Sequence, residues 1–111
     1  MKVMIVGGGK VGTYLASLLL GSGHSVRVIE VRREEIARLQ RDLASNESVI
    51  CGNGTDPDVL EAAGIRQMQV VAAVTGADEY NLVITGLARF EFNVPRTIAR
   101  VNNPKNAWMF T

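Results

Sequence analysis

The run Val3-Met4-Ile5-Val6 passes directly into Gly7-Gly8-Gly9-Lys10-Val11-Gly12, and no other feature of the chain restricts its fold as strongly. A continuous apolar run of this length reads as a strand buried on both faces. The glycines at 7, 9 and 12 fit G-x-G-x-x-G, and beyond them Val11, Leu15, Leu18 and Leu19 recur at helical spacing, which puts all four on one side of a helix. Strand, glycine turn and helix in this order are the context in which the motif holds a dinucleotide. Gly7 permits the tight turn, Gly9 lets backbone approach a diphosphate, and Gly12 lets the helix pack on the strand. Free N–H groups at the helix start then hold the phosphates. Lys10, in the first helical turn, either reaches a terminal phosphate as a point charge or simply faces solvent.

The same alternation continues along the chain. Val26-Arg27-Val28-Ile29 is a second strand, followed by a charged helix from Arg33 to Leu43 with Ile36, Leu39 and Leu43 at helical intervals. Ser48-Val49-Ile50-Cys51 is a third strand. After it Asp56 caps, and Pro57 opens, a brief helix that Gly64 ends. Val70-Val71-Ala72-Ala73-Val74 is the fourth strand, and a helix from Asp78 to Phe92 is expected to bury Leu82, Ile84, Leu87 and Phe90. Thr97 to Val101 is the fifth strand, and Asn103-Pro104 caps a last helix that includes Trp108-Met109-Phe110. Short Val- and Ile-rich strands alternating with helices predict an α/β fold, a doubly wound parallel sheet of Rossmann type. The expected strand order is 3-2-1-4-5, with the sixth strand of that fold lacking. No linker or repeat interrupts residues 1–111, so one nucleotide-binding domain is expected over the whole chain.

Composition removes several classes of function. Twelve Lys+Arg against eleven Asp+Glu give a net charge of +1, which argues against nucleic acid bound through a basic face. A single cysteine forms no internal disulfide, and this points to a reducing, cytoplasmic setting. The longest apolar stretch, Val11 to Leu20, falls short of a membrane span.

Glu30 ends the second strand, eighteen positions after Gly12. A carboxylate there accepts hydrogen bonds from both hydroxyls of an adenosine ribose and repels a 2′-phosphate, which favours NAD or an adenosine nucleotide over NADP. Val31 and Arg32 follow it on the rim of the expected site, and Arg32 and Arg33 soften the exclusion because an arginine there can hold a 2′-phosphate. The ligand of an open parallel sheet lies over the carboxyl ends of the strands. That makes Asn53, Gly54 and Thr55, after the third strand, candidate contacts to the adenine, against the plainer reading of an ordinary turn. Thr75, Gly76 and Ala77, after the fourth strand, leave room for ribose and phosphate, or merely start a helix capped by Asp78.

No catalytic or metal-binding group emerges. His24 is the sole histidine and falls at the amino end of the sheet, whereas Cys51 has no histidine or second cysteine near it and is expected to be buried. The acidic residues Asp56, Asp58, Asp78 and Glu79 are accounted for by helix starts.

Taken together, Val3 to Gly12, Val28-Ile29-Glu30, Gly52-Asn53-Gly54-Thr55-Asp56 with Leu60 to Ile65, Val74 to Leu82, and Ala99 to Pro104 resemble the KTN domain. This is also called the TrkA N-terminal or RCK N-terminal domain of potassium-transport regulatory proteins. The likeness covers essentially the whole chain, and its most specific parts are the loops after strands three and four. It implies a cytoplasmic regulatory subunit that gates a membrane potassium transporter or channel, binds NAD(H), ATP, ADP or AMP, and assembles as homodimers or rings. By position it implies phosphate contacts from Gly7 to Gly12, ribose at Glu30 and adenine near Asn53. Arg100 then either reaches phosphates or makes an ordinary surface pair.

The leading expectation is therefore a nucleotide-sensing regulator, not an enzyme. The alternatives are the coenzyme domain of an NAD-dependent dehydrogenase, which needs a substrate domain with an acid or base, and an interaction module with a vestigial cleft. The large apolar residues Trp108, Met109 and Phe110 need a surface to bury against, which points to a dimeric module that is the N-terminal part of a longer regulator.

Overall fold

The computed structural model describes residues 1–45 and 47–110. The first strand, β1 (Lys2–Val6), lies at the centre of a five-stranded sheet and pairs in parallel with β2 (Ser25–Glu30) and β4 (Val70–Ala73). Outside these lie β3 (Val49–Cys51), beside β2, and β5 (Arg96–Ala99), beside β4. The order β3-β2-β1-β4-β5 agrees with the expected doubly wound sheet. Among the described residues, four α-helices connect the strands: α1 (Lys10–Gly21), α2 (Ile36–Asp42, preceded by a 3-10 turn Arg33–Glu35), α3 (Pro57–Ala62) and α4 (Asp78–Gly86).

Alternation along the strands divides the core between two faces. Val3 and Ile5 join Val26, Val28, Val70 and Ala72 against Ala16, Leu39 and Leu43. Met4 and Val6 join Ile29, Val71 and Ala73 against Leu60, Ile65, Ile84 and Phe92. Right-handed crossovers account for the division: connections running outward from β1 through β2 to β3 put α1 and α2 on one face, and those running the other way put α3 and α4 on the opposite face.

Several local expectations are corrected. Helix α1 buries Gly12 and Ala16 with Leu15 and Leu19 half-buried, while Val11 and Leu18 are exposed. The contact of Gly12 with the glycine turn fixes the rotation of the helix, so the apolar residues at 11 and 18 point outward. The helix expected over 78–92 is α-helical only to Gly86 and continues as a π-helical stretch, Leu87–Glu91. Buried residues there recur every fourth position, at Ile84, Ala88 and Phe92, which leaves Leu82 and Leu87 half-buried and Phe90 77% exposed. Cys51 is exposed rather than buried, because it ends the edge strand β3. The last helix is a 3-10 segment, Pro104–Phe110, with Trp108 exposed. Thr111 lies outside the described residues.

Candidate functional site

The glycine turn is held by contacts that admit no side chain at two of its positions. Gly7 has φ +116°, and a Cβ on it would lie 2.9 Å from the backbone of Val74 and Thr75. At Gly12 a Cβ would lie 1.8 Å from the carbonyl oxygen of Gly7. A Cβ at Gly9 would have no atom within 4 Å, so this position is open. The turn thus brings β4 and the start of α1 against the end of β1.

Gly8 is fixed by polar contacts. Its N–H donates to Glu30 Oε1 at 3.0 Å, and its carbonyl accepts from Arg38 of α2 at 2.8 Å and from the Thr13 hydroxyl at 3.3 Å. Glu30, at the end of β2, is 4% exposed. Besides Gly8, it accepts from the Arg32 N–H at 2.7 Å, and from Arg32 Nε at 3.2 Å and Nη2 at 3.0 Å. Burial alone would raise the pKa of this carboxyl; hydrogen bonds from Arg32 and Gly8 outweigh it and hold the value below the ordinary range. Glu35 then links Arg32, at 3.9 Å, to Arg38, at 3.2 Å. Arg38 also pairs with Asp42. A ring of charged groups therefore connects the glycine turn, the end of β2 and helix α2.

The loop after β3 is stabilised by Asn53, whose Oδ1 accepts from the N–H of Thr55 at 2.9 Å and from its hydroxyl at 2.7 Å. That leaves the amide nitrogen as the group able to meet a ligand. Gly54 is buried, and a Cβ there would lie 2.4 Å from Val6 Cγ1, so the close crossing of this loop over β1 requires glycine. Asp56 caps α3 through the N–H of Asp58, and Pro57 occupies its first turn.

The opposite wall of the site, Thr75 to Ala77 with Arg100, is braced from behind by two residues whose roles the sequence did not reveal. Asn81, fully buried in α4, accepts from the Thr75 N–H at 3.0 Å and hydroxyl at 2.7 Å, and donates to the carbonyls of Thr75 and Arg100. Asp78 is not the cap, which is Ala77; it is the first helical residue, and its carboxylate accepts from the N–H groups of Asn102 and Asn103 and the amides of Asn102 and Asn106. These bonds fasten the segment after β5 to the start of α4. Asparagines at 102, 103 and 106, with an aspartate at 78, were the only available signal, and nothing local connects positions so far apart.

The donors from Asn102, Asn106 and Asn103 hold the Asp78 carboxyl well down, at about 2 against an ordinary 3.8. The unfolded chain therefore takes up this proton more readily than the folded one. Its contribution to stability is complete above about pH 4 and is lost as the pH falls toward 2. Acid titration of the unfolding midpoint should show a decline in that window, and the Asp78→Asn variant should show a shallower one; identical slopes would contradict this reading.

Between these walls, over the carboxyl ends of the strands where the order reverses from β1 to β4, lies a cleft of about 550 Å³. A cleft of this size suits a nucleotide-sized ligand. Thirteen of the residues singled out in the sequence line it. Gly7, Gly9 and Val11 contribute from the glycine turn, and Glu30, Val31 and Arg32 from the end of β2. Asn53, Gly54 and Thr55 line it after β3, and Thr75, Gly76, Ala77 and Arg100 after β4 and β5. Lys10 and Gly12 do not: Lys10 is exposed at the first position of α1, and Gly12 is buried beneath the turn. The lining also includes Tyr80, an exposed aromatic in the first turn of α4 that no sequence motif marks as a site residue. His24 lies at the other end of the sheet, just before β2. Among the described residues, no helix is long and apolar enough to cross a membrane.

Known proteins share both the sequence and the architecture. The model of the TrkA-N domain family matches residues 3–111. The Trk system potassium uptake protein TrkA homolog of Methanothermobacter thermautotrophicus is 46% identical over 110 residues, covering 99% of this chain. The chain spans 50% of the length of that relative. Among solved structures, the TrkA-N domain of the inner membrane protein ybaL from Escherichia coli superimposes with a TM-score of 0.85 at 21% identity, covering 97% of this chain and 78% of that one. The Kef CTD of Shewanella denitrificans, solved in its AMP-bound form, gives 0.84 at 24% identity, covering 99% and 65%. With a family match running from the first strand to the last residue, and a sheet order shared with solved domains, the chain belongs to the TrkA-N domain family.

Proposed function

We propose that this domain senses an adenine nucleotide, NAD(H) or one of ATP, ADP and AMP, and regulates a potassium uptake transporter or channel without itself catalysing a reaction. One observation carries the reading: the cleft at the reversal of strand order joins a glycine turn open at Gly9 to the buried carboxyl of Glu30. In this reading the N–H groups at the start of α1 hold phosphates. Glu30 accepts from the ribose hydroxyls, and Asn53 offers its amide to the adenine edge. Arg100, on the far rim, supplies positive charge to the phosphates. The potassium assignment is supported by the TrkA relative, and the adenosine assignment by the AMP-bound Kef neighbour. Signalling proceeds by population shift: a nucleotide with more favourable contacts in one dimer arrangement than in another biases the transporter partner. The domain works on the cytoplasmic side of the membrane, held there by that partner.

A thermal-shift panel of AMP, ADP, ATP, NAD, NADH and NADP tests the reading. A ligand present at a hundredfold excess over its Kd should raise the midpoint by about 10 °C or more. Ligands without a 2′-phosphate are expected to stabilise and NADP is not. Equal stabilisation by NADP would remove the role given to Glu30, and no shift with any of the six would remove the nucleotide site.

A further inference from the structure

The carboxylate assigned to the ribose is already fully occupied by protein donors. Oε1 accepts from the Gly8 N–H and from Arg32 Nη2; Oε2 accepts from the Arg32 N–H and from Arg32 Nε. A carboxylate has about four acceptor positions, and all four are filled. Two of the donors are backbone groups fixed by the glycine turn and the end of β2. The other two belong to one guanidinium, and they reach one oxygen each, as the two adjacent hydroxyls of a ribose would.

We propose that Arg32 is an intramolecular competitor for the ribose position, so that a nucleotide binds by exchanging its ribose hydroxyls for the guanidinium on Glu30. The inference rests on the nucleotide reading above and adds to it a residue that sets affinity. Arg32 is the partner free to move: its side chain is 49% exposed, against 4% for Glu30. A second acceptor is within reach, since Glu35 Oε1 lies 3.9 Å from Arg32 Nη1. A displaced guanidinium therefore keeps a carboxylate partner near solvent, which makes the exchange inexpensive. A nucleotide lacking both hydroxyls gains nothing at Glu30 and has no reason to displace the arginine.

Calorimetric titration of the wild-type chain, Arg32→Ala and Arg32→Met with AMP and with its 2′,3′-dideoxy analogue tests this. Methionine retains an apolar stem without donors, so agreement between the variants separates loss of the competitor from loss of packing. Both variants should bind AMP about three- to tenfold more tightly than wild type, the scale of a half-exposed bidentate pair. The gain should vanish with the dideoxy analogue. Unchanged or weaker AMP binding in the variants, or an equal gain for the analogue, overturns the competitor role while the nucleotide site stands. Absence of binding by all three proteins overturns the nucleotide site and this inference with it.

Discussion

Replacing Glu30 with alanine is expected to weaken binding of AMP or NAD by about ten- to fiftyfold, because two hydrogen bonds from ribose to the carboxylate are lost at about 1.5 kcal/mol or more each, offset in part by the displacement of Arg32 that the variant no longer needs. The same change leaves the buried N–H of Gly8 without its acceptor and should lower the stability of the ligand-free chain by about 1–3 kcal/mol. Glu30→Gln separates the two effects. Its carbonyl oxygen can still accept from Gly8, so stability should largely return, while affinity stays low because the second oxygen and the charge are gone. Isothermal titration together with a urea midpoint reads both quantities. Near-wild-type affinity in Glu30→Ala would show that the ribose is held elsewhere.

A second large effect is expected at Gly12. An alanine there puts its methyl carbon 1.8 Å from the carbonyl oxygen of Gly7, well inside any allowed contact. Gly7 has no room to yield, being itself at φ +116° against the backbone of Val74 and Thr75. Either α1 moves off the sheet or the turn opens, and both disturb the packing of Ala16 on the strands. The expected cost is about 3 kcal/mol or more, a large share of a domain's total stability. Gly9→Ala is the control: its methyl meets no atom within 4 Å, so its midpoint should stay within about 1 kcal/mol of wild type. Equal stability of the two variants would mean that the helix start is softer than its contacts imply.

These two glycines show why much of the site was legible in the sequence. A turn that needs φ above zero at its first residue and no Cβ at its sixth leaves glycine as the residue that fits both, and the run Gly7 to Gly12 announces this without reference to the rest of the chain. Glu30 was legible for a related reason. It ends a strand whose parallel register with β1 puts its side chain beside the glycine turn. Strand order was legible because the glycine turn marks a sheet of Rossmann type, whose order is 3-2-1-4-5. Where expectation and structure part, local backbone geometry that residue spacing does not show decided the outcome. Val11 and Leu18 look like a buried helical stripe, yet the rotation of α1 is set by Gly12 against Gly7. Phe90 falls three residues after Leu87 as an α-helical face requires, but a π-helical stretch moves the buried line to Ala88 and Phe92.

What the sequence determined by itself was the order of strands and helices, the glycine turn, and a carboxylate at the end of the second strand. All three rest on local chemistry: buried strands need apolar runs, a tight turn needs glycine, and the motif's spacing carries the acid to the cleft. The tertiary structure decided how the groups of the cleft are engaged and which neighbours join or leave it. It placed Lys10 outside the lining and Tyr80 within it, bound Arg32 to Glu30, and used Asp78 and Asn81 to fasten the far wall. Asp78 takes partners twenty-four to twenty-eight residues away, which packing and register set, whereas Arg32 turns back on Glu30 only two residues before it, a side-chain pairing that spacing alone leaves open.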